Sequence, residues 1–303
     1  MAQESGTVEA VLAGAIGRNK PSVMRQIRTL IRRQPLGTIG FVIAVFFAFV
    51  AVAGPLLYNF DYTEFHKKDP LLAPSSIYWF GTDNLGMDVY SRVIRGARIA
   101  MIVGLVSPLI IQTLGAAIGI PSAFFGGKFD LVVQRFVDAW NSFPTIILAL
   151  ALVTVLGASL MNVILAIGVT RGAGVSRVIR SQALRVKEMD YVMAARALGA
   201  GDLRIMIRHI FPQCAAVMLV LVSVEIPGAI VAEASLSYLG LGTPPPEPSW
   251  GAMMSGPGRR FLLAAPWIAI FPGICLSIVV FGFNMLGDAV RDVLDPRLRG
   301  SRG

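Results

Sequence analysis

At 303 residues, 55% hydrophobic and only 15% charged, the chain is too apolar for a soluble globular domain, in which roughly 25% of residues are charged. The net charge of +9 would suggest nucleic acid as a partner on a soluble protein. Here the positive residues lie mainly between long apolar runs, where they act as topology signals, so no nucleic acid is expected. The two cysteines, Cys214 and Cys275, lack CxxC spacing, and the histidines are only His66 and His209. A disulfide framework is not expected, a His-rich metal cluster is excluded, and no metal ligands are assigned.

Taken in chain order, residues 1–34 form an N-terminal tail. Its first thirty residues lack an apolar core, so no cleavable leader is expected. Within the tail, Val23, Met24, Ile27, Leu30 and Ile31 recur at helical spacing with Arg25, Arg28, Arg32 and Arg33 between them. That pattern fits a basic amphipathic helix on an anionic membrane surface, or a juxtamembrane stretch of the first span.

The first span is expected over 35–58, an uncharged run long enough to cross a bilayer. An outer loop over 59–98 follows, and the second span is placed at 99–125. Gly126-Gly127 then turns into a third helix starting near Phe129. It carries Arg135 and Asp138 in its first part, expected to pair with each other or with the neighbouring hairpin over 186–212, and runs on to Leu156. The fourth span is placed at 160–178, followed by a polar, basic segment over 180–209. The fifth span covers 212–240. A proline-rich loop over 243–258 leads to the sixth span, 261–286, and a charged tail over 288–303. In that tail Asp288, Asp292 and Asp295 alternate with Arg291 and Arg297, which points to a salt-bridged surface, not a metal cluster.

The fold class is therefore an all-α integral membrane protein with about six transmembrane helices and a permease core over 99–287. About 20 of the 27 Lys/Arg fall on one side of this arrangement. The positive-inside rule then puts both termini and the 180–209 segment in the cytoplasm. Pro108, Pro144, Pro227, Pro266 and Pro272 interrupt the spans. Breaks of this kind suit helices that move or line a cavity, although proline is also commoner in membrane helices generally.

The stretch 186–212 is the most informative. Asp190 and Asp202 are expected to cap two short helices, and Gly199-Ala200-Gly201 breaks the chain between them. The result is a helix–turn–helix hairpin whose small residues let another protein's surface approach. The order Ala194-Ala195-Arg196, Gly199 and then Pro212 resembles the EAA loop of ABC importer permeases, with Met193 standing where that motif has Glu.

Further stretches resemble the C-type subunit of dipeptide/oligopeptide permeases. Gly81-Thr82-Asp83, Gly86, Asp88, Ser91-Arg92 and Gly96-Ala97-Arg98 are similar to the signature GTDxxGRDxxSRxxxGAR, with Met87 in place of its Arg. Glu233–Gly242 with Pro244-Pro245 and Pro248-Ser249-Trp250-Gly251 resembles the fifth span and outer loop of that subunit. Gly287-Asp288 to Arg291-Asp292 and Leu294–Arg299 resemble its C-terminal end.

This resemblance implies a type I importer permease of MetI-like fold in the cytoplasmic (inner) membrane of a prokaryote. It implies a peptide cargo moved by alternating access, with the hairpin docking into a cytoplasmic ATPase. The implied partners are a homologous permease subunit, two ABC ATPase subunits that bind ATP and Mg, an extracytoplasmic substrate-binding protein, the peptide and membrane lipid. The chain lacks a GxxxxGK[ST] phosphate loop, so it is expected to hold no cofactor and to have no catalytic residues of its own.

Two carboxylates, Glu225 and Glu233, fall inside the fifth span, where an ionisable group is costly and marks a candidate site. Eight residues apart, they are expected on roughly one helix face. With Ser235, they are candidates for the translocation path and for meeting a peptide's amino terminus. Glu233 could equally be hydrogen-bonded near the outer end. Gly81, Thr82, Asp83, Gly86, Asp88, Ser91 and Arg92 are either an outer gate or binding-protein contact, or turn-forming and capping residues. An ion-coupled secondary transporter using Glu225 and Glu233 would carry an inverted internal repeat, and none is evident. An intramembrane protease would need facing carboxylates at membrane depth, whereas the aspartates lie at span ends.

Overall fold

A computed structural model describes residues 34–58 and 60–294. The expected amphipathic helix of the N-terminal tail and the C-terminal motif beyond Leu294 lie outside the described residues. In chain order the helices are α1 (Pro35–Leu57), α2 (Val89–Phe125), α3 (Gly127–Asn141), α4 (Thr145–Leu156), α5 (Leu160–Lys187), α6 (Asp190–Ala197) and α7 (Asp202–Ile205). A wide π-turn over Met206–Ile210 leads into α8 (Phe211–Tyr238), followed by α9 (Trp250–Arg260) and α10 (Trp267–Leu294). Five segments are long and apolar enough to cross a membrane, and a sixth arises if α3 and α4 count as one broken span.

Several boundaries differ from those read from the sequence. The proline-rich loop over 243–258 contains most of α9, and the sixth span begins at Trp267, not at residue 261, and runs to Leu294 through the start of the expected tail. The second helix begins at Val89, not at residue 99, because Asp88 caps it: its carboxylate accepts from the Ser91 N–H at 2.9 Å and the Ser91 hydroxyl at 2.6 Å. Arg92, Arg95 and Arg98 thus lie on the first turns of α2 instead of in a loop. The third helix is not continuous. It bends by 88° between Asn141 and Thr145, where Pro144 has no N–H to give a helix ladder and pushes Phe143 out of helical geometry. At 12 residues α4 is about 18 Å long, short of a hydrocarbon core of about 30 Å. The fourth helix runs on to Lys187, well past residue 178.

Small residues let the helices meet. α2 and α5 form the most extensive contact in the molecule. A Cβ on Gly119 would sit 2.5 Å from the Ser176 carbonyl oxygen, so only glycine allows the approach. Gly115, Gly168 and Gly172 face Val175, Ile110 and Leu114 across the same seam. Close backbone approach of this kind replaces hydrophobic drive between helices in lipid. The α1–α10 contact is built likewise, with Gly40 against the Gly282 carbonyl. At its end the Gln34 amide donates to Asp292 at 3.2 Å, so the start of α1 and the end of α10 lie on the same side.

Candidate functional site

The outer loop folds into a cap around Thr82, which is fully buried. Its hydroxyl donates to the Asp69 carbonyl at 2.6 Å and accepts from the Leu72 N–H at 2.8 Å. The Trp267 indole donates to the Thr82 carbonyl at 3.1 Å, joining the cap to α10. Asp83 accepts from the N–H groups of Leu85 and Met87 at 2.8 and 3.0 Å. Gly81 and Gly86 both have φ +75°. Arg92 bonds the Tyr62 carbonyl at 3.2 Å and the Met87 sulfur at 3.0 Å and lies 3.9 Å from Asp83. These residues make turn and capping contacts, and none of the seven is among the described lining residues of the cleft between α4, α5, α8 and α10.

The cap is clasped to the second outer loop by Glu247, which sequence reasoning missed. Arg95 holds both its oxygens, at 2.8 and 2.6 Å. The Tyr62 hydroxyl donates to the same carboxylate at 3.1 Å, and the Arg95 guanidinium sits 4.9 Å from the centre of the Tyr62 ring. These hydrogen bonds from Arg95 hold the Glu247 carboxyl below the usual carboxylate range, against the opposing effect of burial. Beside the clasp, the Trp250 indole of α9 donates to the Val93 carbonyl of α2 at 2.9 Å.

Between α4, α5, α8 and α10 lies a cleft of about 480 Å³. Its walls are mostly aliphatic, with Thr145, Thr170, Ser235 and Asn284 as polar points and Arg171 as the one charged lining residue among those described. Ser235 therefore belongs to the cleft. Glu225 and Glu233 do not share a site, contrary to the one-face expectation. Eight helical steps of about 100° leave them about 80° apart, and the neighbouring helices separate them further. Glu225 pairs with Arg171 of α5 at 2.6 Å. Glu233 is 2% exposed, bonded by the Ser237 hydroxyl at 2.6 Å and by Ser249 at the start of α9. It ties α8 to α9 and is shut off from the cleft. Arg171, which falls inside the fourth span placed at 160–178 but was not singled out there, lies within α5. Its position inside a span was the one signal along the chain; only laying α5 beside α8 shows its partner.

At the other end of α5 the expected hairpin is present. α6 and α7 are joined through Gly199 at φ +81°, a left-handed conformation that glycine adopts without strain. The two aspartates are not its caps: Met189 and Gly201 hold those positions without side-chain bonds. Asp190 and Asp202 are instead the first helical residues, where their charge favours the positive end of the helix dipole. Val192, Ile205 and Ile210 are buried, and Arg196 sits 5.2 Å from the centre of the Phe124 ring at the end of α2. The tip presents the reverse: Leu198 is 89% and Leu203 66% exposed, with nothing within 4 Å of the Cβ positions at Gly199 and Gly201. Pro212 lies in the first turn of α8, so the hairpin runs through the π-turn directly into the helix that carries Ser235.

Beside the hairpin, α3 is latched to α5. Arg180 holds both oxygens of Asp130, and Ser122 of α2 joins that carboxylate. Arg177 bonds Asp138, which also lies 3.6 Å from Arg135. Among the described residues no group of three or more His, Cys, Asp or Glu could hold a metal ion.

Residues 113–300 match the family described as binding-protein-dependent transport system inner membrane component. Residues 22–74 match the N-terminal transmembrane domain of oligopeptide transport permease C. The dipeptide transport system permease protein DppC of Alkalihalophilus pseudofirmus is 36% identical over 92% of this chain and 91% of its own. The oligopeptide transport system permease protein OppC of Bacillus subtilis is 35% identical over 98% and 97%. The glutathione transport system permease protein GsiD of Pectobacterium atrosepticum is 38% identical over 79% and 78%.

Proposed function

The chain belongs to the binding-protein-dependent transport system inner membrane components, and from that premise we propose how its parts divide the work of an ATP-driven importer. The protein is a membrane-spanning permease subunit of a peptide ABC importer. Its relatives are named for dipeptide, oligopeptide and glutathione transport, and short peptides are the cargo class common to those names. ATP and Mg belong to the ATPases of such a system, not to a permease chain.

In this reading the complete machine holds this chain, a homologous permease, two cytoplasmic ATPases and an extracytoplasmic substrate-binding protein. Both termini and the 186–212 hairpin are cytoplasmic. The excess of Lys/Arg on that side supports this, as does the meeting of Gln34 with Asp292. The cap and the Glu247 loop face the binding protein. The cleft is this chain's share of the translocation path, with Ser235 and Arg171 in its wall and Glu225 behind Arg171.

The observation that carries the proposal is the hairpin's division into an anchored base and an open apolar tip. Leu198 and Leu203 are exposed, and covering each by a partner groove is favourable by about 1.5–3 kcal/mol. The base is locked by Val192, Ile205 and the Arg196–Phe124 contact. A displacement imposed on the tip by the closing ATPases is therefore delivered to α8 and the cleft, and such a two-state element biased from both ends is what coupling requires.

The test is Leu198→Asp in the assembled transporter. It puts a charge at the docking tip without touching the buried base. Membrane insertion should be unchanged while ATPase association and uptake fall together. Full uptake by this variant would reject the hairpin as the coupling element.

A further inference from the structure

The guanidinium in the cleft has an unused edge. Arg171 gives its Nε to Glu225 at 2.6 Å, and neither of its Nη atoms has a hydrogen-bond acceptor among the described residues. Both side chains lie near mid-span. Arg171 is eleven residues from the start of α5 and Glu225 thirteen from the end of α8, about 17 and 20 Å along the two helices. Charge at that depth is costly and is retained for a use. The Arg171 side chain is 32% exposed and that of Glu225 13%, so it is the guanidinium of the pair that faces the open cleft.

The surroundings keep that edge uncovered. Arg171 lines the cleft whereas Glu225 does not. Gly228 of α8 lies beside it: a Cβ there would stand 3.0 Å from Nη2, so a larger residue would crowd the guanidinium. Among the described residues no other charged side chain lines the cleft. Its volume of about 480 Å³ lies in the range of small-ligand sites, about 300–1,000 Å³. The aliphatic walls make no demand on side-chain chemistry, which suits cargo of varied sequence.

We infer that Arg171 is a carboxylate-recognition residue of the translocation cleft. It takes the C-terminal carboxylate of a passing peptide on its Nη1/Nη2 edge while Glu225 stays on Nε as the resident counter-ion; the assignment rests on the peptide-importer reading. A guanidinium presents two parallel donors matched to a carboxylate. Glu225 already offsets much of the positive charge, so the bound carboxylate is held weakly enough to leave, as a transport site requires. In the empty cleft the same counter-ion removes the cost of an unpaired charge.

The test uses the complete detergent-solubilised complex without its binding protein, so that selection by that protein does not enter. A benzophenone-bearing dipeptide is photolysed with the complex, once with a free C-terminus and once C-terminally amidated, and labelling of 224–236 is quantified by mass spectrometry. The free acid should label this segment about 10-fold more than the amide, the ratio expected of one charge-assisted contact. Arg171→Gln should equalise the two, and Arg171→Lys should keep part of the difference. The charge swap Arg171→Glu with Glu225→Arg preserves the pair and should still assemble with the ATPases, yet the preference should be absent.

Equal labelling by acid and amide in the wild-type complex overturns the inference, and does so even if every variant misfolds. An unchanged preference in Arg171→Gln also overturns it. A wild-type complex that shows no ATP-dependent peptide uptake with its binding protein contradicts the importer reading instead, so the two failures are distinguishable.

Discussion

Arg95 on α2 and Glu247 in the loop before α9 are 152 residues apart in the chain, yet they share two hydrogen bonds of 2.8 and 2.6 Å. Together with the Tyr62 hydroxyl, they join the cap over 60–88 to the second outer loop. Because the clasp lowers the folded-state pKa of Glu247, its contribution is complete above the ordinary glutamate pKa of about 4.3 and is lost as pH falls through the lower folded value. The thermal stability of the purified chain should therefore be insensitive to this group from neutral pH down to about 5 and fall below about 4. Glu247→Gln should cost about 1–3 kcal/mol at neutral pH and reduce the acid-dependent part. Parallel melting curves for the two proteins across pH 3–7 check this.

The second prediction concerns Thr82, whose hydroxyl both donates and accepts inside the cap. Thr82→Val keeps the volume but strands the Leu72 N–H and one acceptor site on Asp69, at about 1–3 kcal/mol for each unsatisfied group. Protease cleavage within 60–88 should become faster, and Thr82→Ser should restore resistance. Resistance of the Val variant equal to that of the parent would show the hydroxyl to be dispensable.

A third prediction follows from the α2–α5 seam. Gly119→Ala places a methyl 2.5 Å from a carbonyl oxygen in the facing backbone, which must shift, at about 1–3 kcal/mol. Gly174→Ala meets only Asn141 at 3.6 Å, an ordinary contact, and should leave stability nearly unchanged. Unfolding midpoints of the two variants in one detergent separate seam packing from a general intolerance of glycine replacement.

Much of the architecture could be read along the chain because lipid leaves few alternatives: apolar runs had to be helices. The hairpin was equally legible, since Gly199 and Gly201 break the helical pattern and the motif around Ala194-Ala195 is local. What the sequence hid was pairing at a distance. Arg171 fell inside the fourth span at 160–178 yet was passed over beside Arg177 and Arg180, because a charge count along the chain shows no partner for it. Glu247 sat in a proline-rich loop with nothing nearby to mark Arg95 as its partner. The α3–α4 bend was signalled by Pro144, but a proline in a membrane helix more often kinks it than turns it by 88°. Glu225 and Glu233 were read as a pair from spacing, yet eight helical steps leave them about 80° apart, and their neighbours Arg171 and Ser237 complete the separation.

The central claim is that this chain transmits ATP-driven motion to a peptide path through the hairpin tip. The most direct measurement is affinity purification of the tagged chain in mild detergent, followed by reconstitution with the substrate-binding protein and assay of peptide uptake with and without ATP. The claim predicts that a second permease and two ATPases co-purify in fixed ratio. It also predicts that uptake requires ATP and that Gly199→Trp, which strains a φ of +81° and blocks the open tip, abolishes both association and uptake. Peptide uptake by the isolated chain in liposomes without ATP, or full coupling in the Gly199→Trp complex, would contradict it.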